Sequence, residues 1–374
     1  MRRLSRVDVN RSLVAPSLIT RQMRPISSLG TGATYVMKEV QVQTNLYWAA
    51  FAEAVVSRLV RPEPGDPFLI ITDTANDVTL GEACLAAGLR AGADAQLVVK
   101  PRLRRGVASR PGPVLSDAIR ASRFILEFCG GIVRAEATVE ARENGTRVLS
   151  TYVKGIEEYA IRALLDVDYE AMIRNAVRVA ELWDQTDRCR VTSSEGTDIS
   201  FSLGSRKSVV GDGALSEDGE VDFFPGAQVS IAPVEETING VIVVDASDSV
   251  QGIVREPYSL IMKEGVIDQI EGGSEAQAMR EWLRSREDDT IYHLCHFTIG
   301  LNPEAGISGN MIEDERKLTA VDFGFGYQDP SFEGTVGYSP YHMDVMLGSP
   351  EIYIDGELMS GDGALSPEFG FEET

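Results

Sequence analysis

The spacing of apolar residues changes near residue 187, and this change constrains the fold more than any other feature of the sequence. Before it, apolar residues recur at i, i+3, i+4 and i+7 over 48–59, which predicts an amphipathic helix. The apolar run 68–71 then predicts a buried strand, and a helical pattern over 78–91 leads to a second apolar run at 95–99. Strands that alternate with helices in this way indicate a parallel sheet.

Further elements continue this pattern up to the change. An apolar run over 124–128 predicts another strand, and helical spacing predicts helices over 156–165 and 168–184. Asp168 is of a residue type that caps helix N-termini, so the second helix is expected to begin there. We therefore predict an α/β domain with an open, mostly parallel sheet over residues 37–186.

After the change, strands become short, alternate between apolar and polar residues, and are often interrupted by glycine. Turn signals at 263–265 and 354–357 predict two β-hairpins, and one helix is predicted over 274–286. Two domains also fit the chain length of 374 residues. We therefore predict a mostly antiparallel α+β domain over residues 187–374. Its predicted strands include 199–203, 228–231 and 241–244.

Residues 1–36 differ from both predicted domains. They contain six arginines and one aspartate together with many serines and threonines, a composition that resembles a transit peptide. The segment lacks the compact apolar stretch of a secretory signal. We expect a flexible N-terminal extension, or a segment that results from an upstream start codon, with the folded sequence beginning near Met37.

The charge and the apolar runs exclude two classes of partner. The formal net charge is -22, and from Leu318 to Thr374 there are eleven acidic residues and no Lys or Arg. Nucleic-acid binding depends on neutralising phosphates with basic residues, so we expect no nucleic-acid partner. No apolar run approaches 18 residues, so no membrane-spanning helix is expected. None of the four cysteines forms a CxxC pair, which favours a reduced, cytoplasmic protein.

All three histidines lie in the last quarter of the chain, at His293, His296 and His342. His342 is followed by Met343 and Asp344. In a strand, residues i and i+2 point to the same face, so His342 and Asp344 are expected to project together. This pair is a candidate metal site, with a third ligand supplied by His296 or His293.

The ligand types narrow the choice of metal without fixing it. Two imidazoles and one carboxylate suit Fe(II) oxygen chemistry, and the same set suits catalytic zinc. Cys295 is next to His296. Because adjacent strand residues face opposite ways, we expect its thiol to point away from the site.

Several segments resemble the aminopeptidase T/S-like metallo-aminopeptidases, in the expected order along residues 40–374. Residues 224–240 look like the family's Pro-x-Gly-Glu-Val…Ala-Pro…Asn-Gly segment, and residues 195–199 fit its Gly-Thr-Asp segment. Residues 296–303 are similar to its Glu-Phe-x-Ile-Gly-x-Asn segment. The remaining matches are Asp314-Glu315-Arg316, Asp322 and residues 339–344.

The departures from this family concern its metal ligands. The aminopeptidases hold two metals with two Glu, two His and one Asp. The positions that match these ligands are Ala227 or Gln228, His296, Asp322, His342 and Asp344. Only His342 and Asp344 keep the family's residue type. The loss of both Glu argues against a site for two metals.

The altered ligand set is similar to that of a branch of the same superfamily, the 2,5-dihydroxypyridine 5,6-dioxygenases. The positions that match the iron ligands of this branch are His296, His342 and Asp344. The resemblance implies a mononuclear non-haem Fe(II) dioxygenase that uses O2 to cleave a hydroxylated N-heteroaromatic ring such as 2,5-dihydroxypyridine. It also implies a homo-oligomer with the site in a cleft between domains.

Other positions of this branch are only partly matched. Pro233, Glu235 and Gly240 fit its Pro-x-Glu…Gly segment. A serine of its site falls near Gly326 and a pocket histidine falls near Phe223, so substrate recognition is expected to differ.

The reaction also requires a base that takes a proton from the ring hydroxyl. The candidates are His293, Glu235 and Asp322. Two other functions stay open at this point. One is a metallo-aminopeptidase-like hydrolase that uses zinc, cobalt or manganese, and the other is a metal-stabilised protein without catalytic activity.

Overall fold

The computed structural model describes residues 46–102 and 111–374. The predicted extension over 1–36 and the predicted start of the α/β domain at residue 37 lie outside the described residues. The described helices are α1 over 46–60 with a π-helical end at Val55–Val60, α2 Val78–Arg90, α3 Pro113–Ala121, α4 Glu136–Glu143, α5 Glu157–Leu165, α6 Tyr169–Trp183, α7 Ser274–Arg284 and α8 Met311–Asp314.

The strands vary in length from two residues to seven. They are β1 Pro67–Asp73, β2 Asp94–Lys100, β3 Phe124–Glu127, β4 Arg147–Ser150, β5 Arg188–Thr192, β6 Asp198–Ser202, β7 Val209–Gly211, β8 Val221–Phe223, β9 Gln228–Ile231, β10 Asn239–Val244, β11 Ser247–Asp248, β12 Gly252–Ile253, β13 Tyr258–Lys263, β14 Val266–Glu271, β15 Leu294–Gly300, β16 Val321–Gly326, β17 His342–Leu347, β18 Glu351–Ile354, β19 Glu357–Gly361 and β20 Ala364–Leu365.

The first half of the described chain forms a parallel sheet, as predicted. Its strand order is β2-β1-β3-β4-β8, and every pairing is parallel. Helices cover both faces, which is why β1 is buried from Phe68 to Asp73. One apolar cluster contains side chains of α1, α2 and α5, and a second contains side chains of α3 and α4.

Apolar periodicity predicted the longer elements of this half correctly. The helix predicted over 168–184 is α6, and Asp168 caps it by accepting a hydrogen bond from the backbone N–H of Ala171. The elements α3, α4, β4 and β8 were not predicted. β8 has three residues and joins the sheet beside β4, far earlier in the chain, so no local pattern marks it.

The strands after residue 187 pair in antiparallel sheets, as predicted, except for β8, which joins the parallel sheet. The other strands form an eight-stranded sheet in the order β14-β13-β10-β6-β5-β18-β19-β20 and a seven-stranded sheet in the order β12-β11-β17-β16-β15-β9-β7. Side chains of both sheets share one apolar core with α6 and α7. No helix in the described ranges is long and apolar enough to cross a membrane.

Both predicted hairpins are present. The turn between β13 and β14 contains Glu264 and Gly265, and the turn between β18 and β19 contains Asp355 and Gly356. All four residues have positive φ angles, which is the conformation that a two-residue type I′ turn requires.

Candidate metal centre

Three neighbouring strands in the middle of the seven-stranded sheet carry the candidate site. Across β15, β16 and β17, His296 lies opposite Gly324, which in turn lies opposite Asp344. His342 and Asp344 flank Met343, whose side chain is fully buried. The predicted i, i+2 geometry is therefore observed, with His342 and Asp344 on one face of β17.

Gly324 provides the space in which these side chains meet. A Cβ atom at this position would lie 1.8 Å from His296 Nε2 and 2.1 Å from His296 Cδ2. A glycine inside a strand often marks such a close approach. Gly324 was not predicted, although two glycines alternate with phenylalanines at the end of β16, which is a signal that could have identified it.

Asp344 lies next to both imidazole rings, which stack on each other with centroids 5.2 Å apart. Its Oδ1 atom lies 2.8 Å from His342 Nε2 and 3.5 Å from His296 Nε2. Asp322 Oδ2 lies 3.6 Å from the same nitrogen of His296. His296, Asp322 and Asp344 each place one potential ligand atom within 4.8 Å of the others. Among the residues that the structure describes, His296 Nε2 and both oxygens of Asp322 have no hydrogen-bond partner.

The two histidines differ in protonation. Burial, together with the charge of His342, lowers the pKa of His296 to about 4, so this ring is neutral at physiological pH. Burial also acts to lower the pKa of His342, but the adjacent Asp344 carboxylate raises it well above its usual range. Burial acts to raise the pKa of Asp344, and the charge and hydrogen bond of His342 lower it. His342 and Asp344 therefore form an ion pair, and a metal ion that binds both must displace the proton on His342 Nε2.

Backbone contacts hold His342 and Asp344 in place. His342 Nδ1 lies 2.9 Å from the carbonyl oxygen of Tyr327. A carbonyl oxygen can only accept, so it keeps a proton on Nδ1 and leaves Nε2 directed at Asp344. The backbone N–H of Asp344 donates to Ser249 Oγ at 3.0 Å.

The expectation that Cys295 points away from the site is wrong. A β-bulge between Leu294 and His296 shifts the register of β15 against β16. The extra residue breaks the alternation of faces, and Cys295 Sγ lies 3.9 Å from His342 Nδ1. Burial raises the pKa of the Cys295 thiol, which keeps it protonated and opposes its use as a thiolate ligand.

The loop between β16 and β17 covers the site. Within it, the ring of Phe332 stacks on His296, with ring centroids 5.6 Å apart and planes at 23°. Gln328 fastens the start of this loop, because its amide donates to the Cys295 carbonyl at 2.8 Å and accepts from the Val336 N–H at 3.3 Å. Sequence reasoning missed Phe332, because an isolated aromatic residue in a polar loop carries no periodic signal.

Glu235, a candidate base, fastens the same loop from a short 3₁₀ helix after β9. Its Oε2 accepts from Arg206 Nη2 at 2.7 Å, and its Oε1 accepts from the Thr335 N–H at 2.7 Å. Arg206 also donates to the carbonyl oxygen of Glu333. Both carboxylate oxygens of Glu235 are thus engaged in holding the loop.

His293 and Asp322, the other two candidate bases, differ in position. His293 precedes β15, and its backbone carbonyl accepts a hydrogen bond from the Gly326 N–H. The described ranges contain two groups of potential metal ligands, which are Cys295, His296 and His342, and His296, Asp322 and Asp344. His293 belongs to neither group, whereas Asp322 belongs to the second. Of the three candidates, Asp322 alone is brought next to His296.

This chain is similar to a dioxygenase family and to an aminopeptidase-type structure. A family model described as 2,5-dihydroxypyridine 5,6-dioxygenase matches residues 47–367. The 2,5-dihydroxypyridine 5,6-dioxygenase of Pseudomonas putida KT2440 is 27% identical over 207 residues, which are 52% of this chain and 59% of that protein. The chain thus spans somewhat over half the length of this relative.

Solved structures show the same fold. The 2,5-dihydroxypyridine dioxygenase structure from Pseudomonas putida KT2440 has a TM-score of 0.72 at 21% identity, and covers 86% of this chain and 97% of that one. Wild-type AmpT from Thermus thermophilus has a TM-score of 0.63 at 17% identity, with 85% and 98% covered. Because the family model spans well over half of the sequence, this chain belongs to the 2,5-dihydroxypyridine 5,6-dioxygenase family, on the aminopeptidase T-like fold.

Proposed function

We propose that this protein is a mononuclear non-haem Fe(II) dioxygenase that opens a hydroxylated N-heteroaromatic ring such as 2,5-dihydroxypyridine. The observation that carries the proposal is the convergence of His296, His342 and Asp344 beside Gly324, in a chain of this family. Two imidazoles and one carboxylate with open positions form the ligand set of non-haem Fe(II) oxygenases.

The unpaired atoms of the site support a metal ligand set. His296 Nε2 and both oxygens of Asp322 lack hydrogen-bond partners in the described part of the chain, although Asp322 is only 1% exposed. Buried polar atoms are nearly always paired, so unpaired ones that point at one place require an explanation. A cation bound by His296 beside Gly324 would pair with Nε2 and offset the charge of the Asp322 carboxylate, and the missing Cβ of this glycine leaves the room.

The charge of the site also suits a divalent cation. The buried carboxyl groups of Asp322 and Asp344 lie close together and repel each other when both are ionised, and neither has a Lys or Arg ion pair within the described ranges. The neighbouring Glu315 is compensated, because Arg316 Nη1 donates to Glu315 Oε2 at 2.6 Å. Buried charges need a partner, and two carboxylates match one dication.

Bound iron would supply Lewis-acid polarisation and would pass electron density from the ring substrate to O2. The protein supplies ligand geometry, proton transfer and the enclosure. We assign the proton acceptor for the ring hydroxyl to Asp322, since both of its oxygens lack hydrogen-bond partners among the described residues and its Oδ2 lies 3.6 Å from His296 Nε2. We assign Glu235 a positioning role, because its oxygens are engaged by Arg206 and Thr335.

The loop provides a wall for a flat substrate. Phe332 stands half-buried over His296, and an aromatic ring in this position favours stacking against another ring. The contacts of Gln328 and Glu235 keep this wall closed over the site. A closed wall excludes water from the reacting ring.

The proposal is tested by anaerobic reconstitution with Fe(II), followed by oxygen uptake on 2,5-dihydroxypyridine and related diols. We expect stoichiometric oxygen consumption and loss of the absorbance of the ring. Hydrolysis of leucine p-nitroanilide without oxygen consumption would instead establish the hydrolase function. Neither activity, with no metal retained, would overturn both.

The ligand assignment is tested by His342→Ala. We expect this variant to lose activity and metal while keeping the fold, because His342 is partly exposed and its ring leaves no large cavity. His293→Ala is the matched control for metal content, since His293 lies outside the described ligand groups. Full activity in His342→Ala would show that the assignment is wrong.

A further inference from the structure

His296 has two hydroxyl residues lined up behind its ring. Thr298 follows His296 by two positions in β15 and therefore shares its face. On the neighbouring strand β9, Ser230 lies directly opposite Thr298. The three side chains form a row that begins at His296 in the candidate metal site and crosses from β15 to β9.

Hydrogen-bond distances connect this row. Ser230 Oγ and Thr298 Oγ1 are 2.7 Å apart, and Thr298 Oγ1 lies 3.4 Å from His296 Nδ1. Ser230 is 5% exposed and Thr298 is 1% exposed, so water does not compete strongly for these hydroxyls. We infer that Thr298, supported by Ser230, is a positioning residue that keeps a proton on Nδ1 of His296 and frees Nε2 for a metal ion. This inference rests on the proposed function, because it takes His296 as a ligand.

The hydrogens of the row can be arranged in two directions, and the surroundings of His296 Nε2 favour the one in which Thr298 donates to Ser230. A hydroxyl group has one hydrogen and two lone pairs. When Thr298 donates to Ser230, its remaining lone pairs can accept only from a protonated Nδ1 of His296. The opposite tautomer would place the proton on Nε2, whose nearest carboxylate oxygens, on Asp344 and Asp322, lie at 3.5 and 3.6 Å. Among the described residues, Nε2 of His296 has no hydrogen-bond partner, whereas its Nδ1 has Thr298.

The second histidine has the same arrangement with a different acceptor. The Nδ1 atom of His342 faces the backbone carbonyl of Tyr327, and its Nε2 atom faces Asp344. Both rings therefore anchor Nδ1 and present Nε2 to the same carboxylate. The acceptor for His342 is backbone and cannot be removed by substitution, whereas the acceptor for His296 is the side chain of Thr298.

The test removes this hydroxyl while keeping the shape of the side chain. We expect Thr298→Val to weaken Zn²⁺ binding to the metal-free protein by about 10-fold to 100-fold, as loss of such a partner does for metal-ligating histidines. Thr298→Ser keeps the hydroxyl and is expected to bind within about threefold of wild type. Ser230→Ala removes only the supporting hydroxyl and should give a smaller loss than Thr298→Val.

Ring ¹⁵N spectra of the metal-free protein give a readout independent of activity. The chain has only three histidines, so their signals can be assigned by substitution. We expect a protonated Nδ1 and an unprotonated Nε2 for His296 in wild type and Thr298→Ser, and a mixture of the two tautomers in Thr298→Val. Thermal midpoints of the metal-free variants control for folding, and Ser230→Ala provides the second test if Thr298→Val does not fold.

The outcomes separate this inference from the proposed function. Wild-type affinity and wild-type spectra in Thr298→Val would overturn the role of Thr298 and leave the metal site standing. Failure of the wild-type protein to bind any divalent metal would overturn both. Weakened binding in Thr298→Val with rescue in Thr298→Ser would support the inference.

Discussion

Two buried carboxylates, one in each half of the molecule, differ in how they are satisfied. Glu127, at the end of β3 in the parallel sheet, is 0% exposed and accepts hydrogen bonds from the Ile132 N–H at 3.1 Å and from Ser150 Oγ at 3.2 Å. Asp322, in β16, is 1% exposed, and neither oxygen has a hydrogen-bond partner in the described ranges. Burial raises the pKa of both groups, of Glu127 to about 7 and of Asp322 well above its usual range.

The hydrogen bonds of Glu127 indicate a structural role, whereas their absence at Asp322 among the described residues indicates a carboxyl group suited to a ligand. Glu127 fixes the loop that follows its own strand, and the protein alone satisfies it. Asp322 faces His296 and Asp344, and the carboxylate of Asp344 raises its pKa further by repulsion. An unpaired buried carboxylate is costly, so a fold that keeps one is complete only with a bound partner. Glu127 belongs to the parallel sheet, whereas Asp322 belongs to the antiparallel sheet that carries the candidate site.

The largest effect is expected from closing the space beside Asp322. Gly324→Ala places a Cβ atom 1.8 Å from His296 Nε2, so the imidazole must move. We expect metal binding and oxygen uptake to be lost, measured by metal content and an oxygen electrode, with the fold preserved because the displaced group is the end of a side chain. Gly361→Ala is the control, since a Cβ atom there meets its nearest neighbour at 3.4 Å. Normal activity in Gly324→Ala would contradict the location of the site.

Removing the charge of Asp322 is expected to have the next largest effect. Asp322→Asn keeps the shape of the side chain but cannot accept a proton, and general-base catalysis contributes roughly 100-fold to 10,000-fold. We therefore expect kcat to fall by about that factor while iron content stays near that of wild type. Loss of iron together with activity would identify Asp322 as a ligand instead, and unchanged kcat would remove it from the mechanism.

The sequence predicted the candidate ligands on β17 better than the residues that surround them. His342 and Asp344 were placed on one face by strand periodicity, which is a local property. The bulge that turns Cys295 toward His342 and the cross-strand position of Gly324 depend on register, which pairs residues distant in the chain. Register and loop contacts are set by tertiary packing, so local periodicity could not reveal the role of Phe332.

A smaller effect is expected from loosening the loop that covers the site. Glu235→Gln leaves the buried guanidinium of Arg206 without its counter-ion. We expect the free energy of unfolding to fall by about 1–3 kcal/mol and kcat/KM to fall by roughly tenfold, one factor of ten per 1.4 kcal/mol of lost positioning. Denaturant unfolding and steady-state kinetics measure the two. Abolished activity at wild-type stability would instead make Glu235 the proton acceptor.

Replacing Phe332, which lies over His296, is expected to lower activity less than replacing Glu235, which holds the loop in place. Phe332→Leu keeps apolar bulk but removes stacking, which is worth about 0.5–1.5 kcal/mol. We expect KM for the ring substrate to rise by roughly threefold to tenfold, with the dissociation constant of the metal unchanged. Tyr338→Leu, at an exposed position of the same loop, is the comparison for a general change of loop surface. Equal effects of both variants would remove the specific role of Phe332.

The smallest effect on activity is expected at Glu127, which allows the comparison between the buried carboxyl groups of Glu127 and Asp322 to be tested directly. Its pKa of about 7 in the folded protein lies above the ordinary 4.5, so the folded state binds more protons than the unfolded state between these values. Stability contributed by the neutral form is therefore present below pH 4.5 and is lost as pH rises through 7, at up to about 1.4 kcal/mol per pH unit.

Glu127→Gln is neutral at every pH and removes this dependence. We expect the free energy of unfolding of the variant, relative to wild type, to rise between pH 4.5 and 7, while oxygen uptake stays near the wild-type rate. Urea unfolding at several pH values gives the difference curve, in which the titrations shared by both proteins cancel. A flat difference curve would mean that the hydrogen bonds of Ile132 and Ser150 stabilise the ionised form as well as burial opposes it. A satisfied carboxyl group would then titrate normally even when buried, and the unpaired oxygens of Asp322 would be its decisive difference from Glu127.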